Sequence, residues 1–382
     1  MKRAVMALSG GMDSTSLLIH LLANGYKVDC ISFEYGQKHI IEVKRATNNI
    51  KYLKEKGFDT THRLVDLSGA MKLFHSALTE EGFEIPEGYY ESESMKATVV
   101  PNRNAIFSSI IYGYALSISS REEVPVEIAL GVHSGDHEIY PDCRPEFYES
   151  LEESFRIGNW ESEKVNFSLP YLNMNKTTIL RDAEKSCNVL DLDFNTIFSN
   201  TITSYNPDSD GKSSGRTGSD IERILAFNEI GLEDPIDYIE PWSIVLENAL
   251  SVEKKYNEQR YKDELTELQF NVTRKNATEP PFTGSLLDEK RGGDYVCICC
   301  NHLLFTSEMK YNSGCGWPAF HSEDNNAKIK KIEDRSYGMR RIEVKCSKCD
   351  SHLGHLFNDG PSEFGGERYC INSASMSFEE RE

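Results

Sequence analysis

Lys2-Arg3-Ala4-Val5-Met6-Ala7-Leu8-Ser9-Gly10-Gly11-Met12-Asp13-Ser14-Thr15 opens the chain with an apolar run that stops at a serine and two glycines. Ala4 to Leu8 has the unbroken apolar character of a parallel strand buried on both faces. Thr15 to Leu22 reads as an apolar helix, with Asp13 and Ser14 near its start. Strand, glycine turn and helix N-terminus together aim backbone N–H groups and a positive dipole end at an anion. Gly10 and Gly11 let the backbone approach a phosphate closely, and Ser9 and Ser14 add hydroxyl donors. No Lys follows the glycines, which excludes a Walker A loop. Helix capping is the plainer reading, because Ser, Asp and Gly are ordinary cap residues. Six such residues in one strand–turn–helix context favour the anion site.

The 382 residues suit two domains better than one core. The formal charge of −19 is uneven: from Glu258 onward 17 Lys and Arg face 21 Asp and Glu, leaving 25 against 40 before it. So acidic a first half repels a phosphate backbone, and direct nucleic-acid binding is not expected. Cys30, Cys143 and Cys187 are scattered, whereas the other seven cysteines fall between Cys297 and Cys370. The apolar start is broken too early for a secretory signal, and no apolar run reaches membrane-spanning length. A cytoplasmic protein with reduced, metal-bound or catalytic thiols is expected.

Lys27 to Phe33 reads as a second strand, Glu42 to Lys56 as an amphipathic helix and His62 to Leu67 as a third strand. Residues 76–97, rich in Glu, Ser and Tyr, read as an excursion or lid. A long apolar helix, Ala105 to Ile118, and a strand, Glu127 to Val132, follow. This alternation predicts an α/β doubly wound parallel sheet with ligands at the carboxyl ends of the strands.

Ser-Gly-Gly-x-Asp-Ser resembles the pyrophosphate loop of the ATP pyrophosphatase superfamily, which implies an adenine nucleotide α-hydrolase-like fold. Phe33-Glu34-Tyr35-Gly36-Gln37-Lys38-His39, Val100-Pro101-Asn102-Arg103-Asn104, Tyr140-Pro141-Asp142-Cys143-Arg144 and Phe167-Ser168-Leu169-Pro170 with Lys176 narrow the likeness. Over residues 1–240 they resemble the QueC family, 7-cyano-7-deazaguanine synthases of queuosine biosynthesis. The resemblance implies a carbon–nitrogen ligase that activates the carboxylate of 7-carboxy-7-deazaguanine with ATP, adds ammonia, and dehydrates the amide to a nitrile. It implies ATP on Leu8, Ser9, Gly10, Gly11, Met12, Asp13, Ser14 and Thr15, with Mg²⁺ near Asp13. Arg103, Asn104, Asp142, Arg144 and Lys176 are candidates for substrate or phosphate. A structural ion pair for the two arginines, and a solvated surface position for Lys176, are the plainer alternatives.

Two features depart from the family. Asn102 stands where Gly is usual, and Ser204, Ser214, Thr217 and Asp220 stand where QueC proteins carry four zinc cysteines. Hydroxyls do not hold zinc stably, so no zinc is expected there, but Ser/Asp hydrogen bonds or a flexible loop. These departures leave room for amidation of another carboxylate, or for a degenerate nucleotide-binding module that anchors the second half.

Residues 241–257 read as a helical connector, followed over 258–382 by alternating apolar stretches typical of antiparallel β structure. Cys297-x-x-Cys300 and Cys346-x-x-Cys349 are paired knuckles, a strong signal for a closed structural Zn²⁺ site. Cys299 lies out of that spacing. Thr278-Glu279-Pro280-Pro281-Phe282-Thr283-Gly284, Ser313-Gly314-Cys315-Gly316-Trp317-Pro318, the run His352 to Gly360, and Glu367 to Ser373 complete the pattern. With the zinc knuckles, the last three closely resemble methionine sulfoxide reductase B. That resemblance implies an oxidoreductase acting on the R epimer, with Cys370 attacking sulfur and Cys315 resolving the sulfenic acid to a disulfide for a thioredoxin-like reductant. It also implies proton handling by His352 and His355, a methyl wall from Trp317, Arg368 beside Cys370, and orienting roles for Asn372 and Asp359. The expectation is a multifunctional enzyme on small molecules, ammonia and methionine sulfoxide; a homo-oligomer stays open.

Overall fold

The structure, a computed structural model, describes residues 2–36, 41–76, 87–89, 98–133, 135, 140–204, 207–323, 329–335 and 340–381. Gln37 to His39, Ser134, Asp136, Tyr205, Asn206 and most of the 76–97 excursion lie outside the described residues. The chain divides into two compact units, Met1–Lys254 and Lys255–Glu382. No helix among the described residues is long and apolar enough to cross a membrane.

The first unit is built on β1 (Lys2–Ala7), β2 (Tyr26–Glu34) and β3 (Thr60–Asp66), with α1 (Met12–Ala23), α2 (Ile41–Glu55) and the single turn α3 (Ser68–Met71) between and after them. Then come α4 (Arg103–Glu122), β4 (Val126–Ala129), α5 (Pro145–Gly158), β5 (Val165–Ser168), α6 (Lys176–Leu190), α7 (Phe194–Ser199) and α8 (Gly218–Glu229), before α9 (Trp242–Glu264), a single helix that runs across the division at Lys254 and Lys255. All strands are parallel in the order β3-β2-β1-β4-β5. The strand alternation explains why both faces bury. Ala4, Met6, Val28 and Cys30 enter one core with α1, α6 and α7, while Val5, Ile31 and Phe33 enter the other with α4. Each fully buried aliphatic side chain of this kind contributes roughly 1.5–3 kcal/mol. The chain leaves β1 on one side for β2 and β3 and returns on the other for β4. The crevice between the carboxyl ends of β1 and β4 is therefore a topological switch point.

The second unit contains α10 (Glu267–Lys275) and two antiparallel sheets. β8 (Lys310–Tyr311), β9 (Ala319–Phe320), β10 (Ile329–Asp334), β11 (Arg341–Cys346), β12 (His352–Phe357) and β13 (Arg368–Ile371) form six strands in the order β10-β11-β12-β13-β9-β8. The smaller sheet orders β14 (Met376–Glu380), β6 (Gly293–Cys297) and β7 (Leu303–Thr306). Tyr295, Phe305, Phe320 and Tyr369 fill the core between them. Ser373–Ser375 form a one-turn 3₁₀ segment just before β14.

Candidate active sites

In the first unit, helix α1 begins with no side-chain cap at Gly11, so capping does not account for the two serines. The Ser9 and Ser14 hydroxyls meet at 2.9 Å, Ser14 Oγ accepts from Ser9 N at 3.2 Å, and Ser9 Oγ accepts from Gly11 N at 3.2 Å. Gly10 has φ +92°, and a Cβ there would lie 2.2 Å from the Glu42 carbonyl oxygen. Gly131, at the exit of β4, gives α1 the same freedom: its Cβ would press on Ser14 N at 3.1 Å. Only glycine permits the approach at Gly10, whereas the contact at Gly131 is tight.

Lys176, the first residue of α6, is 5 % exposed rather than a solvated surface residue. Its ammonium lies 3.0 Å from Asp13 Oδ2, 3.1 Å from Glu222 Oε2 and 3.1 Å from His133 Nε2. Burial lifts the Asp13 carboxyl, but the Lys176 ammonium and His133 outweigh it and hold it below the usual carboxylate range. Asp13 Oδ1 is buried with no hydrogen-bond partner among the described residues, an acceptor of the kind a hard cation on a pyrophosphate would satisfy.

These groups form one end of a cavity of about 250 Å³. Leu8, Ser9, Gly11, Asp13, Ser14, Arg103, Asn104 and Lys176 line it; Gly10, Met12 and Thr15 stand behind the wall. The other end is aromatic. Phe33 and Phe107 stack at 4.1 Å, and the Arg103 guanidinium lies 6.0 Å from the Tyr35 ring and 5.8 Å from the Tyr140 ring. Burial pushes the Glu42 carboxyl up to about 7, with Arg103 opposing. Asp142 and Arg144 do not line this cavity. Asp142 instead accepts from Asn104 N at 3.3 Å, fixing the start of α4. Asn102 has φ +59°, a left-handed conformation that Asn tolerates and Gly adopts freely.

The second unit holds two thiol sites. The sulfurs of Cys297, Cys300, Cys346 and Cys349 lie within 4.8 Å of one another, with Cys297 to Cys349 and Cys300 to Cys346 both at 3.6 Å. A tetrahedral Zn²⁺ with bonds of about 2.3 Å requires edges of roughly 3.8 Å, so the donor set fits. Each knuckle closes the same way: Asn301 N donates to Cys297 O and Asp350 N to Cys346 O, with positive φ at Asn301 and Asp350. Arg274 donates to Cys349 O at 2.8 Å, placing a cation beside the thiolates. Cys299 is not one of the four.

Cys315 and Cys370 bring their sulfurs to 3.6 Å. The Ser313 hydroxyl donates to Cys315 Sγ at 3.0 Å. Burial alone would raise the Cys315 thiol; Ser313, Cys370 and Arg368 outweigh it and lower it. Burial and the neighbouring Cys315 push Cys370 up to about 12 against the pull of Arg368. In this substrate-free arrangement Cys315 is the readier thiolate, and Arg368 alone does not activate Cys370. Arg368 is occupied by a bidentate pair with Asp359, both bonds 2.8 Å.

His355 is the cross-strand partner of Cys370 and is bonded to Asp334 at 3.1 Å. His352 Nδ1 is 2.7 Å from Glu343 Oε1. Burial lowers both histidines, opposed by their carboxylates. Glu279, named in the sequence only as part of a domain opening, accepts from Ser373 N and Ala374 N. Its backbone also accepts from Trp317 Nε1 and donates to Asn372 Oδ1, each at 3.0 Å. Glu222, Glu42, Glu279, Asp334 and Glu343 had no sequence signal as site residues, because none belongs to a spaced motif.

The first unit is thus a doubly wound α/β domain with a serine–glycine loop at its switch point, and the second an antiparallel β domain with a cysteine pair and a four-thiol cluster that could hold a metal. A family model for the Queuosine biosynthesis protein QueC matches residues 3–231, and one for the SelR domain matches residues 265–380. The chain belongs to the QueC family and carries a SelR, or methionine sulfoxide reductase, domain at its other end. A 7-cyano-7-deazaguanine synthase from Caldicellulosiruptor saccharolyticus is 41% identical over 236 residues, which is 62% of this chain and 95% of the relative. One from Colwellia psychrerythraea is 41% identical over 237 residues, 62% of this chain and 99% of the relative. Among solved structures, a predicted subunit of tRNA methyltransferase from Methanocaldococcus jannaschii overlays with a TM-score of 0.31 at 17% identity, covering 63% of this chain and 93% of that one.

Proposed function

We propose that the chain carries two enzymes: a synthase converting 7-carboxy-7-deazaguanine, ATP and ammonia into 7-cyano-7-deazaguanine, and a reductase of methionine (R)-sulfoxide. The observation that carries the first is the run from Ser9 to Ser14 opening into a cavity whose far end is aromatic. In this reading the loop N–H groups and Lys176 hold the triphosphate, and the orphaned Asp13 oxygen meets its Mg²⁺. The substrate carboxylate displaces pyrophosphate to give an acyl adenylate, ammonia displaces AMP to give the amide, and a second adenylation lets the amide oxygen leave as AMP. Fixed positive charge is worth most where phosphate charge develops in the transition state. The flat deazaguanine ring suits the space beside Phe33 and Phe107. AMP release that requires 7-carboxy-7-deazaguanine tests this reading. AMP release with another carboxylate would move it to a different amidation.

For the second enzyme, Cys370 attacks the sulfoxide sulfur while a proton reaches the sulfoxide oxygen through His355. Methionine leaves, and Cys370 becomes a sulfenic acid. Cys315 attacks that sulfur, hydroxide leaves as water, and a disulfide forms for an external dithiol to reduce. The 3.6 Å sulfur separation and the ready Cys315 thiolate support the resolving role. Zn²⁺ on the four cysteines supplies structure and takes no part in these steps. Loss of dithiol-dependent sulfoxide reduction in Cys370→Ser, with turnover stalled after one equivalent in Cys315→Ser, tests the order of attack.

A further inference from the structure

Ser204, Ser214, Thr217 and Asp220, the positions where zinc ligands would be sought in the first unit, do not fit a metal. Among the described residues only the four cysteines of the second unit form a ligand group. Asp220 is instead a fully buried carboxylate. It accepts from the hydroxyls of Ser213 at 2.6 Å, Thr217 at 2.7 Å and Ser204 at 3.0 Å, and from Thr217 N at 3.2 Å. Ser214, the position aligned by spacing, accepts from Arg216 N at 3.2 Å and, among the described residues, makes no bond to Asp220.

We infer that Asp220 is a metal-free positioning residue that seats Glu222 and the Gly10 loop against Lys176. Two connections lead from it to the anion loop. Along α8, Asp220 fixes the first turn through a capping box with Thr217, and Glu222, two residues on, meets Lys176 at 3.1 Å. Through Ser204 it anchors the segment whose Ile202 N donates to Gly10 O at 3.0 Å. A buried carboxylate is tolerated only when donors surround it, and these donors come from separate stretches of chain. Removing the acceptor therefore frees all of them together. The same reasoning makes Lys176 a gathered charge held from three sides, rather than a side chain that finds its ligand unaided.

This inference concerns the anion loop of the proposed synthase, but its test does not depend on that activity. The full chain would be prepared as wild type, Asp220→Asn, Glu222→Gln and Ser214→Ala. Each would be acetylated with an activated ester, and labelling of Lys176 read by peptide mass spectrometry against exposed Lys51. Weakening the Lys176–Glu222 ion pair, directly in Glu222→Gln and through the lost seating in Asp220→Asn, predicts about tenfold faster labelling of Lys176, no change in Ser214→Ala, and one zinc per chain throughout. Unchanged Lys176 labelling in a folded Asp220→Asn, or a second zinc in the wild type, would overturn it. Should Asp220→Asn fail to fold, Ser213→Ala makes the same comparison with one donor removed. AMP release measured alongside keeps the two readings apart: labelling that rises in an enzyme that never forms AMP upholds the positioning and sinks the synthase.

Discussion

The Lys176 ammonium lies 3.0 Å from Asp13 Oδ2, joining residues 163 apart in the chain. The pair sets the polarity of this part of the cavity: the cation is balanced by a carboxylate, and among the described residues the other Asp13 oxygen has no hydrogen-bond partner. In the proposed synthase, phosphate would exchange partners around a charge that is in place.

Gly10→Ala tests the loop. Its Cβ would collide with the Glu42 backbone, and φ +92° strains any L side chain. ATP affinity measured by calorimetry should fall about tenfold or more, with sulfoxide reduction unchanged. Intact ATP binding would show that the loop does not grip phosphate.

Glu42 makes the first unit sensitive to pH. Its unfolded value of 4.5 rises to about 7 on folding. Below 4.5 both states hold the proton; between 4.5 and 7 only the folded chain does, so stability falls as pH rises. By pH 8 the deficit is of order 3 kcal/mol. Glu42→Gln should therefore slow hydrogen exchange of the β1 and β2 amides at pH 8 and leave it nearly unchanged at pH 5. Equal effects at both pH values would contradict the shift.

The thiol pair makes a kinetic prediction. With Cys315 lowered and Cys370 near 12, iodoacetamide at pH 7.5 should modify Cys315 before Cys370 in the reduced chain. Mass spectrometry of the two peptides reads the order. Faster modification of Cys370 would place the resting thiolate on the attacking residue.

Cys346→Ser opens the four-thiol site. Structural zinc supplies about 10–16 kcal/mol of apparent binding energy, comparable with or larger than the stability of a small domain. Metal analysis and near-ultraviolet dichroism should report loss of zinc together with loss of fixed tertiary structure in the second unit. A folded, zinc-free variant would show the site to be dispensable.

Much of this was legible beforehand. The apolar run before Ser9 and the strand–helix alternation announced the parallel sheet, and two Cys-x-x-Cys pairs announced the metal corner, because each is a local signal with a fixed spacing. The polar network was not. Glu222 and His133 reach Lys176 from distant segments, Glu279 meets the turn after Cys370 from across its unit, and neither arrangement leaves a spacing to read. The hydroxyl knot shows the same limit: counting residues from Thr217 and Asp220 points to Ser214, whereas the turn directs Ser213 inward. Arg144 and Asp142 had the motif but not the position, since Asp142 serves the start of α4.

The most direct measurement of the central claim is a mass-resolved assay of the whole chain with ATP, Mg²⁺, isotopically labelled ammonium and 7-carboxy-7-deazaguanine, run beside Asp13→Ala. The account predicts a nitrile product carrying the labelled nitrogen, AMP formed with it, and loss of both by a factor of about 100 or more in Asp13→Ala, while both proteins reduce methionine sulfoxide equally. An unlabelled product, or no AMP from a wild-type chain whose reductase is active, would contradict it.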